Sequence, residues 1–295
     1  MYSLNNNQNL KFASGSKIHY ALRIASAMCF IGHGSFGIIT KPIWANYFGV
    51  FGIGYVESFK LMPIAGSMDI LLGLIILFYP IRAAIMWLVI WGFVTALLRP
   101  LSGEPFAEFI ERAGNFGAPL SLLILSGRIN LKNLFRALSP DIKLNAETLS
   151  SVTIALRIVV FLLLAGHGWL NLIEKKGIIN QYTSLGFNNP DETAKLVGFF
   201  EIFAALAVLI RPVRSFILIL FVWKITSELF YPHYEIFEFI ERGGSYGTIL
   251  ALWFAMGATS AVQNKIEFKK IFSRFFNYNN MSVNFSSSNH KVFNK

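Results

Sequence analysis

The hydrophobic residues of this chain are collected into long runs, and most charged residues lie between the runs. Several runs approach the roughly 20 apolar residues that a helix needs to cross a lipid bilayer. The pattern predicts an all-α polytopic membrane protein with eight transmembrane helices. The predicted helices cover residues 19–39, 62–79, 81–98, 105–126, 153–173, 195–210, 212–230 and 236–258.

The second half of the pattern repeats the first half, motif by motif and in the same order. The repeated motifs are ALRI at 21–24 and 155–158, GHG at 32–34 and 166–168, and FIERAGNFG at 109–117, which returns as FIERGGSYG at 239–247. Single positions also match in order: Asp69 with Glu201, Trp91 with Trp223, and Pro100 with Pro232. Two tandem four-helix units should insert in the same orientation, which predicts a pseudo-two-fold axis along the membrane normal.

Polar segments flank and join the two units. The linker sequence at 129–143 places its apolar residues on one helical face with Lys132 and Arg136 beside it, and residues 264–276 do the same. Both stretches are predicted to be helices on the cytoplasmic membrane surface. The predicted organisation is a polar N-terminal tail at 1–18, a first unit at 19–126, an amphipathic linker at 127–152, a second unit at 153–260, and a basic amphipathic, then disordered tail at 261–295.

Composition supports the membrane assignment and sets an orientation. The chain is 54% hydrophobic and only 14% charged, whereas soluble domains carry roughly 25% charged residues. The formal net charge is +10. Most of the basic residues outside the predicted helices lie on the same side of the membrane as the N-terminus. By the positive-inside rule, we expect a multi-pass protein of the inner membrane with both termini in the cytoplasm. The lipid bilayer, and no nucleic acid, is the partner that this distribution predicts.

The polar residues inside the predicted helices converge on one layer near the outer side of the membrane. At about 1.5 Å per residue, the histidines and acidic residues of the first two helices reach similar depths, and the FIER turns begin the fourth and eighth helices there. The layer contains His33, Asp69, Glu111 and Arg112 in the first unit, and His167, Glu201, Glu241 and Arg242 in the second. Charges inside a membrane persist when they point inward and pair. We therefore expect each Glu-Arg turn to face the histidine and carboxylate of its own unit.

These residues fit several roles. His33 and His167 could be hydrogen-bonded packing residues, since the glycines beside them let helices approach closely. They could also exchange protons with a quinol, since imidazole titrates near neutral pH. Two histidines at equal depth would suit a bis-histidine haem, but no further haem signal supports one, and no close ligand spacing such as HxxxH indicates a metal. The Glu-Arg pairs could be structural ion pairs or line a site.

One pair of charges breaks the repeat. Lys224 and Glu228 lie one turn apart in the seventh helix, where the first unit has two small uncharged residues. A lysine in an apolar membrane helix costs roughly 2.5–3.5 kcal/mol, and a partner on the same helix returns only about 0.2–0.5 kcal/mol. The pair could still be a self-neutralised bridge. We expect instead that the second unit holds the larger polar cavity, with Lys224 or Glu228 reaching Glu201 or Glu241.

The motifs together resemble those of the DoxX/DoxD-like membrane proteins, which are four-helix units. The shared pattern is an early arginine and a later HG turn in helix one, an acidic residue among glycines in helix two, and a terminal Gly-Arg motif. In this chain the pattern is carried by Arg23, His33-Gly34, Asp69 with Gly66 and Gly73, SGRINL at 126–131, Arg157, His167-Gly168, and Glu201 with Gly198. The resemblance covers about residues 20–260 as two tandem copies. The second unit ends in MGATSAV, without the Gly-Arg motif.

The resemblance implies a link to respiratory and sulfur-redox membrane complexes, including quinone-reducing ones. It predicts a membrane subunit of a redox complex that binds quinone in the outer half of the membrane, with other redox subunits as partners. His167, Glu201 and Glu241 would exchange protons, and Arg242 would steady an oxyanion. The counterparts in the first unit are His33, Asp69, Glu111 and Arg112. A transporter with its site between the repeats and a non-catalytic membrane scaffold are the alternatives.

Overall fold

The computed structural model describes residues 2–142, 144–229 and 236–259, with side chains described from residue 15 onward. This part of the chain is helical, and its only strand-like contact is one isolated bridge. The all-α class predicted from the sequence is therefore confirmed. The helices are α1 (Tyr2–Ile38), α2 (Trp44–Gly49), α3 (Tyr55–Phe78), α4 (Arg82–Leu101), α5 (Ala107–Glu111), α6 (Ala113–Leu125), α7 (Ala146–Leu172), α8 (Lys176–Ser184), α9 (Pro190–Ile210), α10 (Arg214–Leu229), α11 (Ile236–Glu241) and α12 (243–259).

Within the described ranges, five helices are long and apolar enough to cross a membrane. They are α1 from Gly15, α3, α4, α7 and α9. Their outer faces carry large exposed apolar side chains, among them Ile64, Phe78, Leu196, Phe203 and Ile210. Because water would penalise such a surface, the chain is a multi-pass membrane protein. The helices α6 and α10, with 13 and 16 residues, are shorter than the spans predicted at these places.

Four helices begin earlier than the hydrophobic pattern predicts, and the first of them, α1, begins at Tyr2 within the polar N-terminal stretch. The helix α7 begins at Ala146, where the side chain of Asn145 accepts a hydrogen bond of 2.6 Å from the backbone N–H of Thr148. The helix α9 begins at Pro190 and carries two acidic residues in its first turn, and α3 begins at Tyr55. Helix caps and first-turn carboxylates stabilise polar turns that hydropathy does not register.

The two helices that contain the FIER motif are broken at the motif's arginine. The helix α5 ends at Glu111 and α6 begins at Ala113, because Arg112 leaves the helical region with φ −88° and ψ 17°. In the second unit α11 ends at Glu241 and helical structure resumes at residue 243. The prediction of continuous helices over 105–126 and 236–258 is therefore wrong. Each break leaves a charged turn inside the bundle.

Glycines bring the first two long helices of each unit into close contact. A Cβ atom on Gly34 would lie 2.5 Å from the backbone oxygen of Gly66, so α1 and α3 touch along their backbones. In the same way, a Cβ atom on Gly168 would lie 2.9 Å from the oxygen of Gly198 in α9. The glycines beside the histidines therefore serve helix packing, which is one of the roles that the sequence suggested.

The early arginine of each unit caps the C-terminal end of the neighbouring long helix. Arg23 donates hydrogen bonds of 3.0 and 2.5 Å to the backbone oxygens of Ile76 and Leu77 at the end of α3. Arg157 donates one of 3.3 Å to the oxygen of Val208 near the end of α9. A cation at a helix C-terminus satisfies free carbonyl groups and opposes the helix dipole. Both arginines thus stabilise the pairing of the first and second long helices.

The broken helix of each unit packs on the first helix of the other unit. The helix α5 contacts α7, and α11 contacts α1. A Cβ atom on Gly166 would lie 2.3 Å from the backbone nitrogen of Glu111, and one on Gly32 would lie 2.2 Å from that of Glu241. The expectation that each Glu-Arg turn lies against its own histidine is therefore wrong: each lies against the histidine helix of the other unit.

The linker between the units is not the predicted amphipathic helix. Residues 129–142 are irregular apart from a turn at 131–135, and Ala137 makes an antiparallel bridge to Ile81. The backbone N–H of Leu138 donates a 2.8 Å hydrogen bond to Pro80, which ties the linker to the α3–α4 corner. Backbone pairing with that corner competes with helix formation here. The stretch at 264–276 and the tail at 261–295 lie outside the described residues.

Replacing Gly166 with alanine should destabilise the protein. The new Cβ atom would clash with the backbone of Glu111, and overpacking against atoms that cannot move aside costs about 1–3 kcal/mol. Thermal unfolding of the purified protein in detergent would measure the change. Gly49→Ala is the matched control, because nothing lies within 4 Å of that added atom. A Gly166→Ala protein that melts with the control would contradict the packing described.

Candidate functional site

In the first unit, the predicted histidine and carboxylate are hydrogen-bonded to each other. Nδ1 of His33 lies 2.7 Å from Oδ2 of Asp69, and the indole Nε1 of Trp91 donates a 2.7 Å hydrogen bond to Oδ1. The Asp69 side chain is fully buried, and 15% of the His33 side chain is exposed. Both carboxylate oxygens are thus occupied, and the buried aspartate fixes the orientation of the ring.

The second unit builds the same arrangement with a longer acid. Nδ1 of His167 lies 2.5 Å from Oε2 of Glu201, and Trp223 donates a 3.3 Å hydrogen bond to Oε1. Asn171 adds a hydrogen bond of 3.0 Å to the backbone oxygen of His167, and Tyr182 donates to Asn171 at 2.8 Å. When the carboxylate is ionised it can only accept, so Nδ1 carries the proton and Nε2 of the neutral ring is an acceptor.

The tryptophan partners were not predicted, although Trp91 and Trp223 occupy matching positions of the repeat. Hydropathy places tryptophan in the core or at the lipid interface without indicating a donor role. The matched positions alone do not say which acid each tryptophan contacts. The function of each tryptophan becomes visible only when the second and third long helices are packed together.

The Glu-Arg turns of the two units are joined by ion pairs. Arg242 donates a 2.5 Å hydrogen bond from Nη1 to Oε1 of Glu111, whose Oε2 accepts a 2.7 Å hydrogen bond from Arg112. Nε of Arg242 lies 3.0 Å from Oε2 of Glu228, and Nζ of Lys224 lies 2.9 Å from Oε1 of Glu228. Positive and negative groups therefore alternate from α10 to the α5–α6 break.

The alternation continues to the C-terminal end of α4. Glu108 accepts from Arg112 and from Lys175, and its Oε2 lies 3.5 Å from Nη1 of Arg99. Arg99 also lies 3.3 Å from Glu104. We call this set the charge network. Its members are Lys224, Glu228, Arg242, Glu111, Arg112, Glu108, Lys175, Arg99 and Glu104.

The lysine that follows each HG turn also forms an ion pair with an acid of the other unit. Lys41 lies 2.7 Å from Glu238, and Lys175 pairs with Glu108. These two pairs occupy matching positions of the sequence repeat, which was the signal that could have identified them. The sequence shows a lysine after each HG turn. The pairing was missed because hydropathy does not indicate which unit supplies the acid.

The predicted partners of Lys224 and Glu228 are wrong. Glu228 contacts Arg242 and not Glu201 or Glu241, because the break at Arg242 turns this arginine toward α10. Glu201 is already occupied by a histidine and a tryptophan. The self-neutralised bridge between Lys224 and Glu228 is present, and its acid is shared with a second cation on another helix.

Glu241 differs from its counterpart Glu111. Glu111 is held by two arginines, whereas no described residue forms a hydrogen bond or ion pair with the Glu241 side chain. The basic groups that interact with this carboxyl through space include His33, Arg112 and Arg99. Glu241 is therefore a largely buried carboxylate that a ligand or a proton can reach without breaking an existing bond.

Two cavities border these groups. The large cavity, about 890 Å³, lies beside His167 and is also lined by Lys175, Glu228 and Glu241. The small cavity, about 90 Å³, lies beside His33. The larger cavity lies next to the histidine of the second unit, as predicted. Residues of both units form its walls. Trp44, Arg99, Arg112 and Glu241 line both cavities.

The short helix α2 explains why the cavities differ in size. Trp44 and Tyr47 are buried in a cluster with Phe36 and Met62, and the Trp44 ring lies 4.5 Å from the ring of His33. The corresponding helix α8 packs through Ile178 on other apolar side chains. Aromatic residues therefore fill the space beside His33, while the space beside His167 stays open.

Comparisons with protein-family models, with curated proteins and with solved structures found no match. The geometry of the site therefore carries the functional argument. Among the described side chains, no group of three or more His, Cys, Asp or Glu residues is placed to hold a metal ion. Six of the eight predicted site residues line the two cavities, and the other two, Asp69 and Glu201, hold the histidines.

Replacing Arg242 with methionine should lower stability strongly. The change leaves Glu111 and Glu228 short of a cation in a buried site, and breaking a buried pair costs about 3–5 kcal/mol. The yield of monodisperse protein and its melting temperature would measure the loss. Lys195→Met is the control, since its pair with Glu174 is solvent-exposed and should contribute little. Equal melting temperatures for the two variants would contradict the role of the charge network.

Lys175 should make stability depend on pH. Burial lowers its pKa from 10.5 to about 8, so the folded state binds fewer protons than the unfolded state between these values. Stability contributed by this group therefore rises as pH rises through that window. The melting temperature of Lys175→Met, compared with wild type from pH 7 to 10, should lack this rise. Lys176→Met, an exposed neighbour, should keep the wild-type slope, and the same slope in both variants would refute the assignment.

Proposed function

We propose that this chain is a DoxX-like integral membrane protein that binds a quinol in the large cavity, as the quinol-binding subunit of a membrane redox complex. The observation that supports this most directly is the position of His167. Its ring is fixed by the buried Glu201 and borders a cavity of about 890 Å³. Sites for small organic ligands typically enclose roughly 300–1,000 Å³ and combine apolar walls with a few oriented polar groups.

The residues of the large cavity fit the two ends of a quinol ring. Trp44, Tyr182 and Trp223 provide aromatic surface for a flat ring. His167 and Glu241 can accept hydrogen bonds from hydroxyl groups, since neither Nε2 of a neutral His167 nor the Glu241 carboxylate is committed to another described residue. A bound quinol supplies two electrons and two protons when it is oxidised, and the electrons would pass to a redox group of a partner subunit.

The chain's own residues would hold and accept the protons. His167 takes one at Nε2, and the ionised Glu201 at Nδ1 stabilises the resulting imidazolium. Glu241 takes the other and, because it borders both cavities, can pass it toward His33. Arg242 already binds Glu111 and Glu228. We therefore assign it to positioning these acids in place of steadying an oxyanion.

We also propose eight spans in two units related by a pseudo-two-fold axis, with both termini on the cytoplasmic side of the inner membrane. Paired contacts support the axis: Lys41 with Glu238 matches Lys175 with Glu108. Gly114 and Gly244 lie against each other between the units. Together with the short helices that precede them, α6 and α12 would complete the fourth and eighth spans. Cysteine accessibility of the linker from the cytoplasmic side would test the orientation.

The quinol site should depend on His167 and not on His33. Losing one hydrogen bond in the site should weaken binding of a quinol analogue to His167→Gln about threefold to tenfold. The matched control His33→Gln borders only the small cavity and should bind as wild type does. Lipid-extract analysis and equilibrium titration of protein in nanodiscs would measure binding. A wild-type protein that retains no quinone, or equal affinities for both variants, would rule out the proposal.

A transporter remains the second candidate because the walls of the large cavity come from both units. Substrate sites between structural repeats are typical of secondary transporters. Reconstitution of the same two variants into liposomes separates the candidates. Solute flux that is lost in His167→Gln and kept in His33→Gln, without quinol binding, would favour transport.

A further inference from the structure

One wall of the large cavity is made of side chains that also face outward. Leu196, Phe187 and Leu185 line the cavity, yet they are 73%, 48% and 41% exposed. A side chain that borders a cavity and is also exposed must stand at its rim. The cavity therefore opens past α8 and α9, and Leu196 belongs to α9, which is long and apolar enough to cross the membrane.

The rim is continued by α10. Trp223, Thr226 and Ser227 line the cavity, and Gln181 of α8 donates a 3.3 Å hydrogen bond to the backbone oxygen of Ser227. The opening thus lies among three helices, with apolar side chains on the α9 side. Its inner end is the polar surface formed by His167 and the charge network.

In the first unit the exposed lining residue is Phe51, which matches Leu185 in the repeat, is 62% exposed and borders only the small cavity of about 90 Å³. Ile64 occupies the position that matches Leu196 in the repeat, and it is similarly exposed at 66%, but it lines neither cavity. Here α2 packs Trp44 and Tyr47 into the space beside His33. The difference between the units is therefore a local one, set by how the short helix after each histidine packs.

We propose that the large cavity is entered sideways from the lipid, by a ligand with a polar head that reaches His167 and a long hydrocarbon tail that stays at the rim formed by Leu185, Phe187 and Leu196. The polar inner end of the cavity matches the head of such a ligand, and the apolar side chains on the α9 side of the rim match its tail. The identity of the polar head rests on the proposed quinol function, whereas the hydrocarbon tail and the lateral route are inferred from the rim.

The route can be tested by narrowing the rim. Leu196→Trp, in full-length protein in nanodiscs, should slow the association of a quinol with a ten-carbon tail by about tenfold or more, since a lateral obstruction acts on the on-rate. Ile64→Trp places the same bulk at the matching position and should leave that rate unchanged. A tail-less quinol should bind both variants with the wild-type affinity. A wild-type association rate of the tailed quinol with Leu196→Trp would overturn the route.

A second measurement needs no quinol. The chain has one native cysteine, Cys29, and it is buried, so an introduced cysteine can be labelled selectively. Val197 lines the large cavity and its counterpart Ala65 lines the small one. Val197→Cys should react with a maleimide dissolved in the lipid about tenfold faster than Ala65→Cys, given unobstructed access. Adding Leu196→Trp should slow it, while adding Ile64→Trp should not.

The two measurements separate the proposals. If no quinol binds to the wild type but Leu196→Trp still slows labelling of Val197→Cys, the quinol function is wrong and the lateral route holds. If a charged maleimide confined to water labels Val197→Cys faster than the lipid-dissolved one, the cavity opens to water and the lateral route is wrong. Labelling that is unaffected by Leu196→Trp would overturn it as well.

Discussion

A chain of alternating charges crosses the apolar bundle, and each member depends on its neighbours. Glu111 is neutralised by Arg112 and Arg242, and Glu228 by Arg242 and Lys224. The side chains of these groups are at most 17% exposed, so removing one member leaves a buried charge without its partner, which is strongly destabilising. The helix breaks at Arg112 and Arg242 and the glycines that admit α5 and α11 serve the same requirement, since they bring the charged turns together.

This constraint also positions the chemistry. The charge network fixes the broken helices, and these set the distance between the two histidine helices and hence the walls of the large cavity. Glu111 is fully used by the network, which leaves Glu241 as the carboxylate that borders both cavities without a partner among the described side chains. The two acids thus differ in whether a described cation is bonded to them directly: Glu111 is paired with Arg112 and Arg242, and Glu241 with none.

Much of the fold could be predicted from the sequence, because hydropathy reports burial along a helix and the repeat reports equivalent positions. Depth along the helices placed His33 with Asp69 and His167 with Glu201 in one layer, and the structure shows that the two members of each pair are also hydrogen-bonded. The breaks at Arg112 and Arg242 were missed, although the glycines that follow each arginine disfavour a continuous helix, because hydropathy does not register them. The crossing of Lys41 to Glu238 was also missed, because a repeat states which positions are alike and not which copies touch.

The packing of each unit on the other has a consequence for how the site could have become one-sided. In an assembly of two identical chains, any residue that fills one pocket fills both. Here the two halves are encoded separately, so Trp44 can occupy the space beside His33 while the space beside His167 stays empty of side chains. In a single polypeptide the two halves can therefore stabilise each other as the subunits of a dimer do, while their two pockets differ in shape.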